Sequence, residues 1–179
     1  GKASTTPIDN RIVIVNIGAS DREGIALLVE KTASFKPKVM ALDVLFDGPR
    51  DTYKDSLMNE AFRKNSNLIA ARKLVPTGKD GDIFNFAGVY FKTAATYAHV
   101  NFFNEETSTI RYFEPFQKDH SGKLIASFPT EIVKAYDKKA YEKLEKKGPK
   151  KVIINYTRRT NQYLVVEGED LLTDNVDPS

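Results

Sequence analysis

The sequence has no cysteine and no tryptophan, and two histidines among 179 residues. Without cysteine there are no disulfide frameworks, cysteine nucleophiles, thiolate zinc sites or iron–sulfur clusters. Compartment is left open, because a disulfide-free domain is stable on either side of a membrane. His99 and His120 lack a second His or Cys at metal-ligand spacing. Gly18 precedes a helix start, but no Gly-rich fingerprint or Gly-Lys-Ser/Thr follows, which argues against a nucleotide site. Ser20 lacks the Gly-x-Ser-x-Gly setting of a nucleophile elbow. No apolar run approaches the roughly 20 residues of a membrane span. Neither sign of charge dominates: 27 Lys+Arg against 24 Asp+Glu give +3, too balanced to argue for nucleic acid.

What is present is a core-forming composition. Hydrophobic residues make up 41%, with 11 Phe and 8 Tyr, which excludes a disordered segment and suits one domain. The first residue is Gly rather than Met, so the chain is expected to be a processed or excised piece. Residues 1–10 read as a lead-in. Arg11–Ile17 is a continuous apolar run, expected to be a strand covered on both faces. Ser20 and Glu23 have capping-box spacing, and Ile25, Leu28, Val29, Thr32 and Phe35 then recur at helical intervals until Pro37. Val39–Asp43 reads as a second buried strand, so a parallel βαβ unit of about 30 residues is predicted at the start.

A second helix is predicted near Thr52–Asn65, burying Leu57, Met58, Ala61 and Phe62, then a strand over Asn67–Arg72. Residues 74–85, with Pro76, Gly78 and Gly81, read as an exposed loop. Tyr97–Phe103 and Thr109–Phe116 are aromatic-rich runs flanking a polar segment, the pattern of a β-hairpin. Gln117–Gly122 reads as a turn, Pro129–Lys147 as the longest helix, Lys151–Tyr156 as a strand and Tyr163–Val166 as a short edge. The expected fold is α/β: a single domain over residues 11–172 with a mixed sheet, a parallel βαβ start, a later hairpin and helices packed on the sheet.

Asp43, Asp47, Asp51 and Asp55 follow the second strand. Ligands of open α/β sheets bind outside the carboxyl ends of strands, so Asp43 and Asp47 are placed for Mg²⁺ or a polar ligand. The competing reading is capping of exposed N–H groups. His99, among aromatics in a predicted strand, reads as a packed residue. Seven lysines between Lys138 and Lys151 read as a solvated helix face, with anionic lipid headgroups as the alternative contact. Tyr90, Phe91, Tyr97, Phe102, Phe103, Tyr112 and Phe113 serve either a core or a dimer interface.

Three segments in order resemble the CHASE family of type two, extracellular sensory domains of bacterial membrane receptors. Arg11–Ile17, Arg22 and the following helix lead into Lys38–Phe46, where Pro37, Asp43, Phe46 and Asp55 match a Pro-x-hydrophobic-hydrophobic-x-x-Asp-hydrophobic-hydrophobic-Phe stretch and the Asp that opens the next helix. Ala98-His-Val-Asn-Phe-Phe103, a turn and Ile110-Arg111 are similar to the family's Gly-x-Val-Asn hairpin followed by Arg. Val152–Tyr156 is similar to its late Ile-Asn-Phe/Tyr strand. Ala98 stands in place of the usual Gly, Glu105–Ser108 in place of Asp and Gly, and Thr157-Arg158-Arg159 in place of Arg-Gly.

The resemblance implies a non-enzymatic, ligand-sensing input domain on the periplasmic or extracellular side of the cytoplasmic membrane. It also implies flanking transmembrane helices, residues 173–179 leading toward one, and a cytoplasmic histidine kinase, nucleotide cyclase or Ser/Thr kinase output. Expected partners are those segments, a small-molecule or protein signal and, as an option, a second copy of the chain; no nucleic acid and no cofactor is expected. Strand-end geometry and the family motifs together nominate Asp43, Phe46, Asp47, Asp55, Asn101, Arg111 and Asn155 as ligand contacts. Each also has a structural alternative: an Asp43–Arg111 ion pair, or backbone satisfaction by Asn101 and Asn155. The competing function is a Mg²⁺-dependent α/β enzyme built on Asp43, Asp47 and Asp51.

Overall fold

A computed structural model describes residues 7–77, 84–94, 96–101, 110–157 and 162–175. In chain order the elements are β1 (Asp9–Asn16), α1 (Arg22–Ser34), β2 (Met40–Leu42), α2 (Thr52–Lys64), β3 (Leu68–Arg72), β4 (Leu74–Pro76), β5 (Phe84–Phe86) and β6 (Thr96–His99). They continue with β7 (Tyr112–Phe113), β8 (Phe116–Lys118), β9 (Leu124–Ala126), α3 (Phe128–Tyr136), α4 (Lys138–Lys147), β10 (Val152–Ile153), β11 (Tyr163–Glu167) and α5 (Gly168–Leu172). The chain is α/β, with parallel sheets and hairpins, and its contacts group into two compact units. One unit joins Gly1–Lys36 to Asn155–Ser179; the other is Pro37–Ile154.

In the first unit β1 pairs in parallel with β11, in the register Ile14↔Val165 and Val15↔Val166. The expected pairing of β1 with β2 in one βαβ unit is therefore not formed: β1 takes as partner a strand from the far end of the chain. Leu28, Val166 and Leu171 form a small core, with Val15, Ile17 and Leu164 packed against it. Ile12 and Ile14 point to the opposite pleat and stay 47% and 42% exposed, so among the described residues β1 is covered on one face rather than the expected two. The α1 cap also differs from the capping-box expectation. Asp21, one residue after Ser20, is the N-cap and its carboxylate accepts the Gly24 N–H at 3.1 Å.

The second unit contains the parallel sheet β2-β3-β6, in the register Met40↔Leu68 and Ile69↔Thr96. α2 is the β2–β3 crossover, so a βαβ unit exists one strand later than the sequence pattern suggests. Asp51 caps α2 by accepting the Lys54 N–H at 2.9 Å, and the helix buries Asp55, Met58, Ala61 and Phe62. On the other pleat, Ile69, Ala71, Ala98 and Phe128 form a core with Val39, Val100 and Ile132, which seats α3 on β3 and β6.

The predicted exposed loop after β3 contains the antiparallel pair β4–β5. β8 and β9 form a hairpin whose turn is tied by the Asp119 carboxylate, which accepts the Ser121 and Lys123 N–H groups. The aromatic hairpin expected over Tyr97–Phe103 and Thr109–Phe116 has its turn outside the described residues. Its first arm pairs with β3 and its second with β10. The single helix expected over Pro129–Lys147 is two helices. Asp137 takes an extended backbone between them, ends α3 and caps α4 by accepting the Ala140 N–H at 3.0 Å. α4 buries no residue, in keeping with a solvated lysine face.

Candidate functional site

The carboxyl ends of β2 and β3 open onto a cavity of about 220 Å³ within the second unit. It is lined by Leu45, Phe46 and Asp47 after β2, by Ala71, Arg72 and Lys73 at the end of β3, by Ala87–Phe91, and by Tyr97 of β6. This is the position that a parallel sheet offers a ligand, because the strand-to-helix connections diverge there and leave a crevice.

One wall is aromatic. Phe46, Phe62 and Phe91 meet edge to face in a triangle with centroid separations of 6.0, 5.1 and 5.6 Å. Tyr90 stacks edge-on against Phe91 at 4.8 Å. The geometry suits the ring quadrupoles, and the burial of Phe62 and Phe91 anchors half-buried Phe46 and exposed Tyr90. The Tyr90 hydroxyl donates to Asp55 Oδ2 at 3.0 Å, and the same oxygen accepts the Arg50 N–H at 3.1 Å. Asp55 thus ties the start of α2 to the pocket wall. The Tyr97 hydroxyl donates to the Phe91 carbonyl, which fixes the end of the wall to the sheet.

The other side of the cavity is cationic. Arg72 donates from Nε at 3.1 Å and from Nη2 at 2.9 Å to the carbonyl of Ala87, and its guanidinium lies 3.9 Å from the centroid of the Phe86 ring. It forms no ion pair with a carboxylate among the described residues. Burial lowers its pKa from the ordinary guanidinium value, with nearby Tyr97 acting in the opposite sense. Burial likewise raises the Tyr97 phenol, opposed by Arg72. Arginine nevertheless stays charged in proteins. Lys73 is exposed at the rim, and Asp47, also exposed, lies 3.7 Å from Arg50.

The nominated residues separate on this geometry. Phe46 and Asp47 line the cavity, and Asp55 supports its wall through Tyr90. Asp43 is exposed and is not among the lining residues. Asn101 brackets Leu74, accepting its N–H at 2.7 Å and donating to its carbonyl at 3.0 Å, the structural alternative. Arg111 is exposed and offers its carbonyl to the Ile154 N–H; Asn155 belongs to the other unit and is exposed. The aspartate series does not converge: Asp51 caps a helix and Asp55 serves Tyr90 and Arg50. Among the described residues no three His, Cys, Asp or Glu side chains could hold a metal.

Arg72, Lys73, Tyr90, Phe91 and Tyr97 were not nominated. Arg72 had a usable signal, since it ends the buried apolar run Leu68–Ala71 at the carboxyl edge of a parallel strand, the location that singled out Asp43. Of the aromatics weighed between core and interface, Phe91 is core, Tyr90 and Tyr97 edge the cavity, and Tyr112 is exposed; Phe102 and Phe103 lie outside the described residues.

A parallel sheet with an aromatic and cationic cavity at its carboxyl edge defines the class: an α/β domain with a crevice where open sheets of this kind offer a ligand position. The family comparison is more specific: the CHASE2 domain model matches residues 6–179, and the chain belongs to this family of extracellular sensory domains. No curated protein and no solved structure matches it at a significant level. No helix among the described residues is long and apolar enough to cross a membrane.

Proposed function

We infer that the chain is the extracytoplasmic input domain of a bacterial transmembrane receptor, and that the cavity bounded by Phe46, Asp47, Arg72, Tyr90 and Tyr97 receives its signal. The observation that carries this reading is membership of the sensory family across nearly the whole chain. A formed cavity at the carboxyl edge of the parallel sheet supports it. Ligand binding drives a response only in so far as it favours one arrangement of the receptor over another. In this reading the arrangement belongs to membrane helices flanking the domain, and the output is a histidine kinase, nucleotide cyclase or Ser/Thr kinase.

The test is the coding sequence on either side of these 179 residues. A span of about 20 apolar residues upstream, further spans downstream and a kinase or cyclase beyond them are expected. A gene that stops near Ser179 and encodes no span would overturn the receptor reading.

A further inference from the structure

We propose that the cavity selects a small organic carboxylate with an apolar or aromatic body, held at its carboxylate by Arg72 and along its body by Phe46 and Tyr97. The inference rests on the reading of this cavity as the sensing site and adds the chemistry of what enters it.

Arg72 carries five N–H donors in a planar fork, and its two bonds to the Ala87 carbonyl engage only the Nε and one N–H of Nη2. Donors on the remaining edge have no carboxylate partner among the described residues. The guanidinium is also held in place, over the Phe86 ring and against the Ala87 carbonyl, so an anion meets a fixed fork. A fixed fork makes bidentate pairing with a carboxylate geometrically direct. Lys73 at the rim adds a second positive charge, and Asp47, the one carboxylate among the described lining residues, is exposed and near Arg50.

The size and lining of the cavity decide between anions. At about 220 Å³ it is smaller than the roughly 300–1,000 Å³ of drug-sized sites, which limits the ligand to a small molecule. The remaining lining is largely apolar and aromatic: Leu45, Phe46, Ala71, Val89 and Phe91. A phosphate dianion needs more donors than one fork and a rim lysine provide, and leaves this wall unused. A carboxylate with a hydrophobic body uses both sides.

The test uses the 179-residue chain with alanine methyl groups isotopically labelled, so that Ala71 and Ala87 report the cavity by NMR. The probes are benzoate, hexanoate, neutral benzamide and inorganic phosphate. Saturable shifts of both methyls with benzoate or hexanoate, and none with benzamide or phosphate at equal concentration, are expected. Arg72→Gln is expected to weaken carboxylate binding by about tenfold or more. Gly88 lines the cavity and a β-carbon there meets nothing within 4 Å, so Gly88→Leu adds bulk at the lining with no backbone clash and is expected to weaken or abolish the shifts.

Failure of both carboxylates to move either methyl overturns the proposal, as does equal binding of benzamide, binding of phosphate alone, or undiminished affinity in Arg72→Gln. Where Arg72→Gln fails to fold, the contrast of benzoate with benzamide in the unaltered chain decides. Benzamide binding that Gly88→Leu blocks would refute the anion while leaving the cavity as the receptor's site. Failure of the receptor reading would show instead in the gene's lack of membrane spans.

Discussion

Arg72 and His99 are register partners on adjacent strands, and the same sheet treats them in opposite ways. Arg72 keeps its charge by reaching the cavity, where a carbonyl and a ring face stabilise it. His99 is 1% exposed, and burial lowers its pKa from 6.5 to about 4, so the folded protein holds a neutral imidazole at physiological pH. The unfolded chain therefore binds one more proton than the folded chain between about pH 6.5 and about pH 4. Stability from this group is complete above pH 6.5 and falls as pH drops toward 4, by about 3 kcal/mol over the window. Urea midpoints at steps across that range should fall more steeply for the wild type than for His99→Leu, which carries no proton there. Parallel slopes would show that His99 does not titrate as its burial requires.

Among the elements, those legible in sequence were the ones whose determinants are local. α1, α2 and β3 appear close to where helical periodicity and an apolar run put them, although α1 is capped by Asp21 rather than Ser20. Elements defined by distant partners were not legible in the same way. The β1 sequence is as apolar as a central strand, yet its partner is β11, and no local feature of Arg11–Ile17 names a partner near residue 165. The split between α3 and α4 rests on Asp137, whose short carboxylate competes for backbone N–H groups, a signal obscured by the continuous apolar stripe around it.

A close approach at the start of α5 gives a test at this scale. A β-carbon at Gly168 would lie 2.9 Å from Leu28 Cδ1 and 3.0 Å from the Asn16 carbonyl oxygen. The leucine can rotate, but the backbone of β1 cannot yield without disturbing its pairing with β11. Gly168→Ala is expected to cost about 1–3 kcal/mol, the range for overpacking a tight contact. Denaturant unfolding followed by far-UV circular dichroism measures it, and an unchanged midpoint would mean that α5 shifts freely.

At the scale of the whole molecule, the proposed receptor function requires energy to pass from one unit to the other. The cavity lies in Pro37–Ile154, while the first and last described strands, β1 and β11, lie in the other unit. The chain connects them at Lys36–Pro37 and Ile154–Asn155, and Lys36 adopts a left-handed φ of 55°, a conformation that non-glycine residues seldom take. A ligand at about 100 times its dissociation constant stabilises the bound state by about 2.7 kcal/mol, enough to slow exchange through cooperative opening of the binding unit about a hundredfold. With saturating benzoate, backbone amides of β2, β3 and β6 should exchange slower by about that factor. In the proposed receptor role more than this is required, because a signal confined to the binding unit reaches no flanking segment. Amides of β1 and β11, particularly those of Val15 and Val166 in the small core, should therefore also slow, by a smaller factor set by the coupling free energy. Protection of the pocket strands with β1 and β11 unchanged would describe a domain that binds its ligand but does not pass the signal on.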